Sequence, residues 1–459
     1  MHHKFNHNIL REYDIRGEVD ETLTELDSKI LGQLLGQKLC KNKVVNVGFD
    51  GRNSSIRIKN SMINGLVESG CVVNEIGLGP TPMLYYSCHL NNAEMGIMVT
   101  GSHNPKNHNG FKIVLNNNPF FGKQILNLQK DAKDFSSTNK QGEIKNLEVK
   151  SDYISFLKDS FNISKTLNIS WDCGNGATGE IIESISSFLN GSQKLMFCDI
   201  DGNFPNHHPD PSEEKNLKDL KDSVLKNKSD FGIAFDGDGD RIGIVDNLGR
   251  TIPGDLILLI FAENIIKQNR NASIIADVKC SQIIFDRINS LGGNAIISKT
   301  GHSNIKVNMK KNKAIFAGEM SGHMFFADNY FGFDDALYAA VRFFNIMSQS
   351  SKRLSQIIDE LPKVFNTPEI RIFCEDEKKF KVIEKLKKIQ LKKKRRIINL
   401  DGIRVNLDGG WWLMRASNTQ PSLVLRCEAK TNQRLTEIIN DLKNDVEIID
   451  NTLANQILA

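Results

Sequence analysis

Three aspartates alternate with glycine in the segment FDGDGDRIGIV (235–245). Carboxylates this close repel one another unless a cation neutralises them, and glycine permits the tight turn that brings their oxygens together. Oxygen ligands that leave coordination positions open suit Mg²⁺, whereas an EF-hand would need Gly and Glu where Arg241 and Asn247 stand. We therefore expect a Mg²⁺ site rather than a metal-free acidic turn, with Arg241 meeting an anion beside it. Its ligands would be Asp236, Asp238 and Asp240.

A second segment, VTGSHNPKNHNGFKI (99–113), places one serine at the tip of a polar loop. The apolar run MGIMV (95–99) stops at this loop, so the segment is either an ordinary turn or a loop that presents Ser102 for chemistry. A hydrolytic Ser–His pair is the rival chemistry. It is disfavoured because adjacent side chains in an extended loop, here Ser102 and His103, point apart, and because no G-x-S-x-G elbow surrounds the serine.

Two further loops carry polar groups that could bind a ligand, one of them suited to hydroxyls and the other to phosphate. In GEMSGHMFF (318–326), three polar residues alternate and would share one side of an extended backbone, where they could meet sugar hydroxyls; a capping turn is the alternative. These residues are Glu319, Ser321 and His323. In RASNTQPSL (415–423), an arginine fork and neighbouring hydroxyls suit phosphate, and a polar surface loop is the alternative. The residues concerned are Arg415, Ser417, Asn418 and Thr419.

The elements that must position these loops follow a repeated pattern. Three apolar strands end at an aspartate, and each is followed by a helical pattern, a glycine and a second apolar strand. The aspartate and glycine pairs are Asp50 and Gly70, Asp172 and Gly191, and Asp277 and Gly292. This predicts three βαβ units, either related or independent, and therefore α/β domains with mixed, largely parallel sheets. Ligands of such sheets bind at the carboxyl ends of the strands, so turns such as Asp50-Gly51-Arg52 are candidate sites.

After about residue 367 the pattern changes to that of a smaller α+β domain. The stretches EIRIFCE, IINLDGIRVNL and LVLRCEA have the composition of strands. Between them, residues 378–397 repeat apolar side chains at helical spacing, which predicts one amphipathic helix with a solvated basic face rather than a nucleic-acid patch.

Composition excludes several classes of protein. The chain has 459 residues, 40% hydrophobic and 25% charged, and a net charge of only +4, which suggests neither a nucleic-acid nor a membrane partner. The longest apolar run, LILLIFA (256–262), is far shorter than the roughly 20 residues that span a bilayer. The first residues lack the apolar core of a signal peptide, and the eight cysteines form no C-x-x-C pair. We expect a cytoplasmic protein without a zinc site or disulfide framework.

Taken together, four motifs in this order resemble the alpha-D-phosphohexomutase family, in its bacterial phosphomannomutase/phosphoglucomutase branch. They are TGSHNP (100–105), DGDGDR (236–241), GEMSGH (318–323) and RASNT (415–419), and the resemblance extends from REYDIRG (11–17) to the last domain. It implies a heart-shaped enzyme whose site lies in a central cleft between three related α/β domains and a smaller C-terminal α+β domain. The implied boundaries are 1–150, 151–252, 253–366 and 367–459, with the last domain closing as a lid about a tether near Lys363–Thr367.

The resemblance also implies a reaction, the reversible conversion of hexose 1-phosphate to hexose 6-phosphate through a bisphosphorylated sugar. Ser102 would carry the phosphoryl group, which completes the coordination of one Mg²⁺ per chain, while His103 orients the loop. Lys112 and Arg241 would neutralise charge. The group that takes the proton stays open between Lys112, His302 and Arg16. Further substrate contacts are implied at Tyr13, Arg16, Lys279 and His302.

Substrate choice is the least constrained of these inferences. Met320 in the GE-x-S-G-H motif resembles the glucose/mannose branch rather than the glucosamine branch. Phosphoglucosamine mutase and a metal-dependent sugar phosphatase, which would need no lasting phosphoserine, remain alternatives. The resemblance further implies a sugar bisphosphate activator, hexose phosphates as the partners, and a monomer or weak homodimer.

Overall fold

Four β-sheets follow one another along the chain in the computed structural model, which describes residues 3–39, 42–133, 136, 140–417 and 421–457. The first has the order β1-β5-β4-β2-β3-β7, with β6 paired to β5. Its strands are β1 (Ile15–Glu18), β2 (Val44–Phe49), β3 (Val72–Leu78), β4 (Met95–Val99), β5 (His108–Leu115), β6 (Asn118–Pro119) and β7 (Glu143–Asn146). Its helices are α1 (Glu25–Gln37), α2 (Ser55–Glu68), α3 (Thr81–Asn91) and α4 (Lys123–Lys133).

The second and third sheets repeat the first unit's βαβ motif. The second has the order β12-β11-β10-β8-β9 and the third the order β14-β13-β15-β16. The elements of the second are α5 (Lys150–Asp159), β8 (Ile169–Asp172), α6 (Gly179–Ser186), β9 (Gln193–Met196), a 3₁₀ turn (Glu214–Leu217), α7 (Lys218–Asn227), β10 (Phe231–Phe235), β11 (Ile242–Asp246) and β12 (Thr251–Ile252). Those of the third are α8 (Gly254–Gln268), β13 (Ser273–Asp277), α9 (Gln282–Ser290), β14 (Asn294–Ser298), α10 (His302–Asn312), β15 (Phe316–Gly318), β16 (Met324–Phe326), α11 (Ala336–Gln349) and α12 (Leu354–Asp359).

The predicted repeats are confirmed by strand pairing. In each unit the strand that ends near the aspartate is parallel to the strand that follows the glycine: β2 with β3, β8 with β9, and β13 with β14. The antiparallel pairs β4–β5, β10–β11 and β15–β16 make the sheets mixed. Each of these three pairs is joined by one of the predicted functional loops, so the topology brings each loop to one edge of its sheet.

The last sheet is antiparallel, with the order β17-β22-β21-β20-β19 and β18 paired to β22. Its elements are β17 (Phe365–Asn366), β18 (Ile370–Phe373), α13 (Asp376–Lys392), β19 (Arg396–Ile398), β20 (Ile403–Leu407), β21 (Gly410–Ala416), β22 (Ser422–Ala429), α14 (Asn432–Glu447) and α15 (Asn451–Ala454). The predicted amphipathic helix is present as α13, but it ends earlier than expected because Arg396 already begins β19. The stretch IINLDGIRVNL forms two strands joined by a turn, with Gly402 at φ +71°.

Apolar packing divides the chain unevenly. One buried cluster runs from α3 through the second and third sheets to α11, and a second lies under the first sheet. The last sheet packs on its own cluster, formed with α13 and α14. The second strand of the second unit, β9, is short and stops at Met196 because Phe197 has φ +54°, which turns the chain. Within the described ranges, none of the helices is long and apolar enough to cross a bilayer.

Candidate active site

The carboxylate loop joins β10 to β11 and is fully buried. Asp236, Asp238 and Asp240 are each 0% exposed, and one ligand oxygen from each lies within 4.8 Å of the others. The two glycines serve different purposes. Gly239 has φ +73°, the left-handed turn expected of glycine, whereas a Cβ on Gly237 would lie 2.6 Å from the carbonyl oxygen of Ser102.

Asp236 joins this loop to the serine loop of the first sheet. Its Oδ1 accepts hydrogen bonds from the backbone N–H groups of Asp240 (3.0 Å) and Arg241 (3.1 Å), which shape the turn. Its Oδ2 accepts a hydrogen bond from Ser102 Oγ at 2.9 Å. Burial, together with Asp240 and Asp238, raises the pKa of Asp236 well above its usual range. The serine and the acidic loop therefore meet although they come from different sheets.

Lys112 supplies the internal counter-charge. It lies on β5, and its Nζ donates to Asp238 Oδ2 at 2.7 Å and also to Asp240 Oδ2. Burial acts to lower the pKa of Lys112, but Asp238 and Asp240 outweigh it and hold the pKa above its usual range. These ion pairs favour a role for Lys112 as a counter-charge to the two carboxylates.

Two carboxylate oxygens of this loop have no hydrogen-bond partner within the described residues, and a bound cation would contact them. Asp238 Oδ1 and Asp240 Oδ1 are buried and accept no hydrogen bond from the residues that the structure describes. Asp238 Oδ2 is bonded both by Lys112 and by Thr81 Oγ1 at the start of α3. Buried carboxylates are normally paired or coordinate a metal, and three oxygen donors suit a hard divalent ion. The residues present therefore fit a bound cation.

The serine loop departs from the expected extended form. Ser102 has φ +49°, and its Oγ lies 3.1 Å from Nδ1 of His103. The expectation that the two side chains point apart is therefore wrong, because it assumed an extended backbone. Burial, then Arg241 and Arg16, lowers the pKa of His103 well below its usual range. His103 is neutral, and its Nε2 lies 3.5 Å from an NH2 of Arg241.

Arg241 connects this loop to an imidazole pair in the third sheet. Its Nε donates to Nε2 of His323 at 3.0 Å. The rings of His323 and His302 are stacked with centroids 5.8 Å apart, and both approach Asp334, which sequence reasoning missed. Nδ1 of His323 lies 3.2 Å and Nδ1 of His302 3.6 Å from Asp334 Oδ2. Asp334 follows a phenylalanine-rich turn without any motif, so no sequence signal identified it.

The GEMSGH loop is a turn, which corrects the extended arrangement expected for its alternating residues. The N–H of Gly322 donates to the carbonyl of Glu319 at 3.0 Å, and the N–H of Glu319 donates to the carbonyl of His323 at 2.9 Å. Glu319 and His323 are buried, whereas Ser321 is partly exposed in the turn. Glu319 Oε1 accepts the N–H of Gly301 at 2.6 Å, beside the residue His302.

Residues near the amino terminus reach the same region. A Cβ on Gly301 would lie 3.0 Å from the ring of Tyr13, which places this tyrosine against the turn that precedes His302. Arg16 donates from Nε to Asp14 (2.7 Å) and from NH1 to the side chain of Asn104 (2.8 Å), so it borders the serine loop.

Two further predicted cations pair with carboxylates that the sequence did not single out. Lys279 Nζ lies 2.9 Å from Glu369 at the start of the last domain, and Arg415 Nε donates to Asp401 at 2.9 Å. Arg415 belongs to β21 rather than to a loop. Ser417, just after this strand, is buried, and its N–H donates to the carbonyl of Ser422. Asn418 and Thr419 lie outside the described residues.

Hydrogen bonds and ion pairs thus connect one set of the predicted residues into a continuous network, whereas a second set lies outside this network. The joined set runs from the carboxylate loop through the serine loop to the imidazole pair: Asp236, Asp238, Asp240, Lys112, Ser102, His103, Arg241 and His323. Lys279 and Arg415 are held instead by carboxylates at the border of the last domain.

Comparison with known families agrees with this arrangement. Four models match in chain order: phosphoglucomutase/phosphomannomutase alpha/beta/alpha domain I over residues 7–134, domain II over 151–249, domain III over 253–365 and the C-terminal domain over 369–444.

Individual relatives match over nearly the whole chain. A phosphomannomutase/phosphoglucomutase of Pseudomonas aeruginosa is 40% identical over 448 residues, which is 97% of this chain and 97% of that protein. A phosphoglucomutase of Neisseria gonorrhoeae is 39% identical and covers 96% of this chain and 97% of its own length. The crystal structure of a phosphoglucomutase/phosphomannomutase family protein from Burkholderia thailandensis has a TM-score of 0.91 at 33% identity, covering 97% of this chain and 98% of that one.

Proposed function

Because this chain belongs to the phosphoglucomutase/phosphomannomutase family, we propose that it interconverts hexose 1-phosphates and hexose 6-phosphates, with mannose, glucose or both as the sugar. One observation carries the proposal. Ser102 Oγ lies 2.9 Å from Asp236, at a buried junction where Lys112 neutralises two further carboxylates. A hydroxyl beside paired acids and a cation is what a phosphoryl carrier requires.

Ser102 would act as its phosphoserine. The bond between Ser102 Oγ and phosphorus breaks while a bond from phosphorus to the free sugar hydroxyl forms, and that hydroxyl loses its proton. The resulting bisphosphorylated sugar turns over within the cleft and returns its other phosphoryl group to Ser102, so the enzyme is regenerated. A sugar bisphosphate in solution would act as activator by phosphorylating Ser102.

Asp236, Asp238 and Asp240 would hold Mg²⁺, whose charge, when it is bound, favours the negative charge that develops on the transferred group. Lys112 and Arg241 add positive charge around that group, and screening by water is weak because Lys112 is buried and the side chain of Arg241 is only 15% exposed. His103, neutral and 3.1 Å from Ser102 Oγ, would orient the serine side chain.

The proton of the sugar hydroxyl would pass to the imidazole pair. His302 has both ring nitrogens buried without a hydrogen-bond partner among the described residues, and burial followed by Lys306 lowers the pKa of His302 well below its usual range. A neutral imidazole can accept a proton. Asp334 lies against both His302 and His323, and it would stabilise the ring that becomes charged.

The sugar and its second phosphate would be held by the third and fourth domains. Glu319 and Ser321 would bind sugar hydroxyls, and the end of β21 would bind the phosphate that is not being transferred. Further contacts would come from positions that border the cleft: Tyr13, Arg16, Lys279, His323, Arg415, Ser417, Asn418 and Thr419. The substrate has to displace Glu369 from Lys279 and Asp401 from Arg415, so its phosphate would replace an existing ion pair in each case.

The remaining proposals concern the whole molecule. We place the domain boundaries near residues 150, 252 and 366, and we propose a cytoplasmic enzyme that is a monomer or weak homodimer. The last domain has its own apolar core, so it can move against the others and exclude water from the phosphoserine. Sedimentation of the purified chain across a concentration series tests the oligomeric state.

The deciding experiment combines a coupled assay with intact mass. Glucose 1-phosphate and mannose 1-phosphate should be converted to the 6-phosphates, faster with a sugar bisphosphate and Mg²⁺, and glucosamine 1-phosphate should be the poorer substrate. The purified protein should contain a fraction that is heavier by one phosphoryl group, and Ser102→Ala should lose both this fraction and the activity. Ser170→Ala is the matched control, because Ser170 is a buried serine whose hydroxyl bonds the hydroxyls of Ser223 and Ser229. Wild-type turnover by Ser102→Ala would refute the phosphoserine.

A further inference from the structure

Arg52, in the turn that follows β2, contacts the whole serine loop, and we propose that it is a positioning residue for the Ser102 nucleophile. This proposal depends on the proposed function in one respect, because it assumes that Ser102 is the group that carries the phosphoryl. Arg52 touches neither the acidic loop nor the imidazole pair. It acts through the backbone on which Ser102 is mounted.

The guanidinium of Arg52 binds four backbone carbonyls of one loop. NH2 donates to the carbonyls of Ser102 (2.6 Å) and Asn104 (2.6 Å). NH1 donates to the carbonyls of Pro105 (2.6 Å) and His108 (3.0 Å). The side chain is 0% exposed, so these bonds do not compete with water. A planar fork is the only side chain that can satisfy four converging carbonyls in this way.

The loop needs such support because its central residue is strained. Ser102 has φ +49°, a left-handed conformation that residues with a Cβ adopt only when the surroundings impose it. On the amino-terminal side, the N–H of Ser102 donates to Thr100 Oγ1 (2.8 Å), and that hydroxyl donates to Asp50 (2.8 Å). On the carboxyl-terminal side, Arg52 holds the carbonyl of Ser102. Asp50 and Arg52 thus restrain the serine from both sides.

The glycine of the TGSHNP motif has its explanation in the same contact. A Cβ on Gly101 would lie 2.5 Å from both Cζ and Nε of Arg52. The guanidinium therefore occupies the space where any other residue would place its side chain. Glycine at position 101 is required by Arg52, and the two residues form one unit.

A segment of the second domain covers this unit. The ring of Phe204 lies 5.2 Å from Cζ of Arg52, within the range of a cation–π contact. A Cβ on Gly202 would lie 2.5 Å from the N–H nitrogen of Asn53, so the two segments touch through their backbones. Arg52 consequently lies where the domain of Ser102 meets the domain of Asp236, and the 2.9 Å contact between those two residues depends on the fit at this junction.

Removal of the guanidinium should take a donor away from each of these four carbonyls and let Ser102 relax out of its left-handed conformation. The nucleophile would then lose its alignment while the sugar and phosphate contacts of the other domains stay in place. For Arg52→Ala we expect kcat to fall by at least tenfold and toward a hundredfold, which is the typical effect of an ångström of misplacement, with KM changed by less than about threefold. Phosphorylation of Ser102 by glucose 1,6-bisphosphate should slow by the same factor as kcat.

The test uses the full chain, with steady-state kinetics, quench-flow phosphorylation of Ser102 and thermal melting for each variant. Arg342→Ala is the matched control, because Arg342 is also an arginine whose side chain is largely shielded from water (11% exposed), with a carboxylate partner (Asp328) and an aromatic partner (Phe326 ring, 4.8 Å). Both variants should melt at lower temperature, but only Arg52→Ala should lose kcat. Added guanidinium chloride should restore several-fold activity to Arg52→Ala, with ammonium chloride as the salt control, and should do nothing for Arg342→Ala.

Two milder variants carry the test if Arg52→Ala does not fold. Arg52→Lys keeps the charge but cannot serve four carbonyls, and Gly101→Ala keeps the arginine but pushes it out of place; both should lower kcat without a matching change in KM. Normal kcat in a folded Arg52→Lys and Gly101→Ala, or equal kcat losses in Arg52→Ala and Arg342→Ala, would overturn the proposal. An inactive wild-type protein without phosphate on Ser102 would instead refute the proposed function.

Discussion

Replacing Lys112 by Met should move metal affinity and turnover in opposite directions. Lys112 Nζ is 2.7 Å from Asp238 Oδ2 and also binds Asp240, and its side chain is only 3% exposed. It therefore neutralises, through their Oδ2 atoms, two of the carboxylates whose free Oδ1 atoms would bind a metal ion. Methionine keeps the volume and removes the charge, so the carboxylate loop becomes one unit more negative.

The magnitude follows from Coulomb's law at the effective dielectric of a protein. Unit charges about 4 Å apart interact by about 4 kcal/mol when the effective dielectric constant is about 20. Allowing for relaxation, we expect Mg²⁺ affinity to rise by about 3 kcal/mol, roughly a hundredfold in Kd. Without metal, the variant should lose about 3–5 kcal/mol of stability, because buried carboxylates are left without their partner. Turnover should fall by about 10²–10³, because a fixed positive charge near the transferred group is lost.

The assay is calorimetric titration with MgCl₂ of metal-stripped, dephosphorylated protein, followed by steady-state kinetics at saturating Mg²⁺. Lys59→Met is the matched control, because Lys59 is a buried lysine paired with Glu75, away from the acidic loop. It should change neither Kd nor kcat. An unchanged or weaker Mg²⁺ affinity in Lys112→Met would refute the reasoning that the charge of the lysine opposes a metal ion at the same carboxylates.

Other expected outcomes address the base, the phosphate site and pH. Of His302→Asn and His323→Asn, the variant that removes the base should lose about 10²–10⁴ in kcat, and retention of turnover by both would exclude the imidazole pair. Arg415→Ala should lower kcat/KM for glucose 1-phosphate and mannose 1-phosphate alike by roughly tenfold to a hundredfold, and unchanged kinetics would remove the end of β21 from the site. Burial and, secondly, the charge of Lys310 lower the pKa of the His89 side chain from 6.5 to about 4. The part of the free energy of unfolding that depends on neutral His89 is therefore complete above pH 6.5 and is lost as the pH falls toward 4. The urea concentration at which half of the protein is unfolded should therefore decline less in His89→Phe than in the wild type between pH 7 and 5. Equal declines in the two proteins would contradict a role of His89 in the pH dependence of stability.

Local patterns in the sequence were sufficient for the repeated architecture. An apolar strand, an aspartate, a helical stretch and a glycine predict a βαβ unit wherever they occur, because strand and helix periodicities are set by residues within a few positions. The carboxylate loop was equally local: alternating Asp and Gly between two strands leaves little choice but a tight, buried acidic turn. The order of the four motifs identified the family for the same reason, since each motif is a short stretch with its own chemistry.

Tertiary structure alone decided what these motifs touch. Lys112 pairs with Asp238 and Asp240 across more than 120 positions of sequence, which makes it their counter-ion. Asp334 carries no motif, and the repeat pattern marked Arg52 only as part of a turn after a strand, because a residue that positions others is defined by the partners that surround it in space. The left-handed conformation of Ser102 is stabilised by Thr100 of its own loop and by Asp50 and Arg52 of the turn after β2, and no local preference of serine predicts it. Sequence determined which groups are available, whereas packing between domains decided which of them meet, because burial and charge pairing depend on distances that only the folded chain sets.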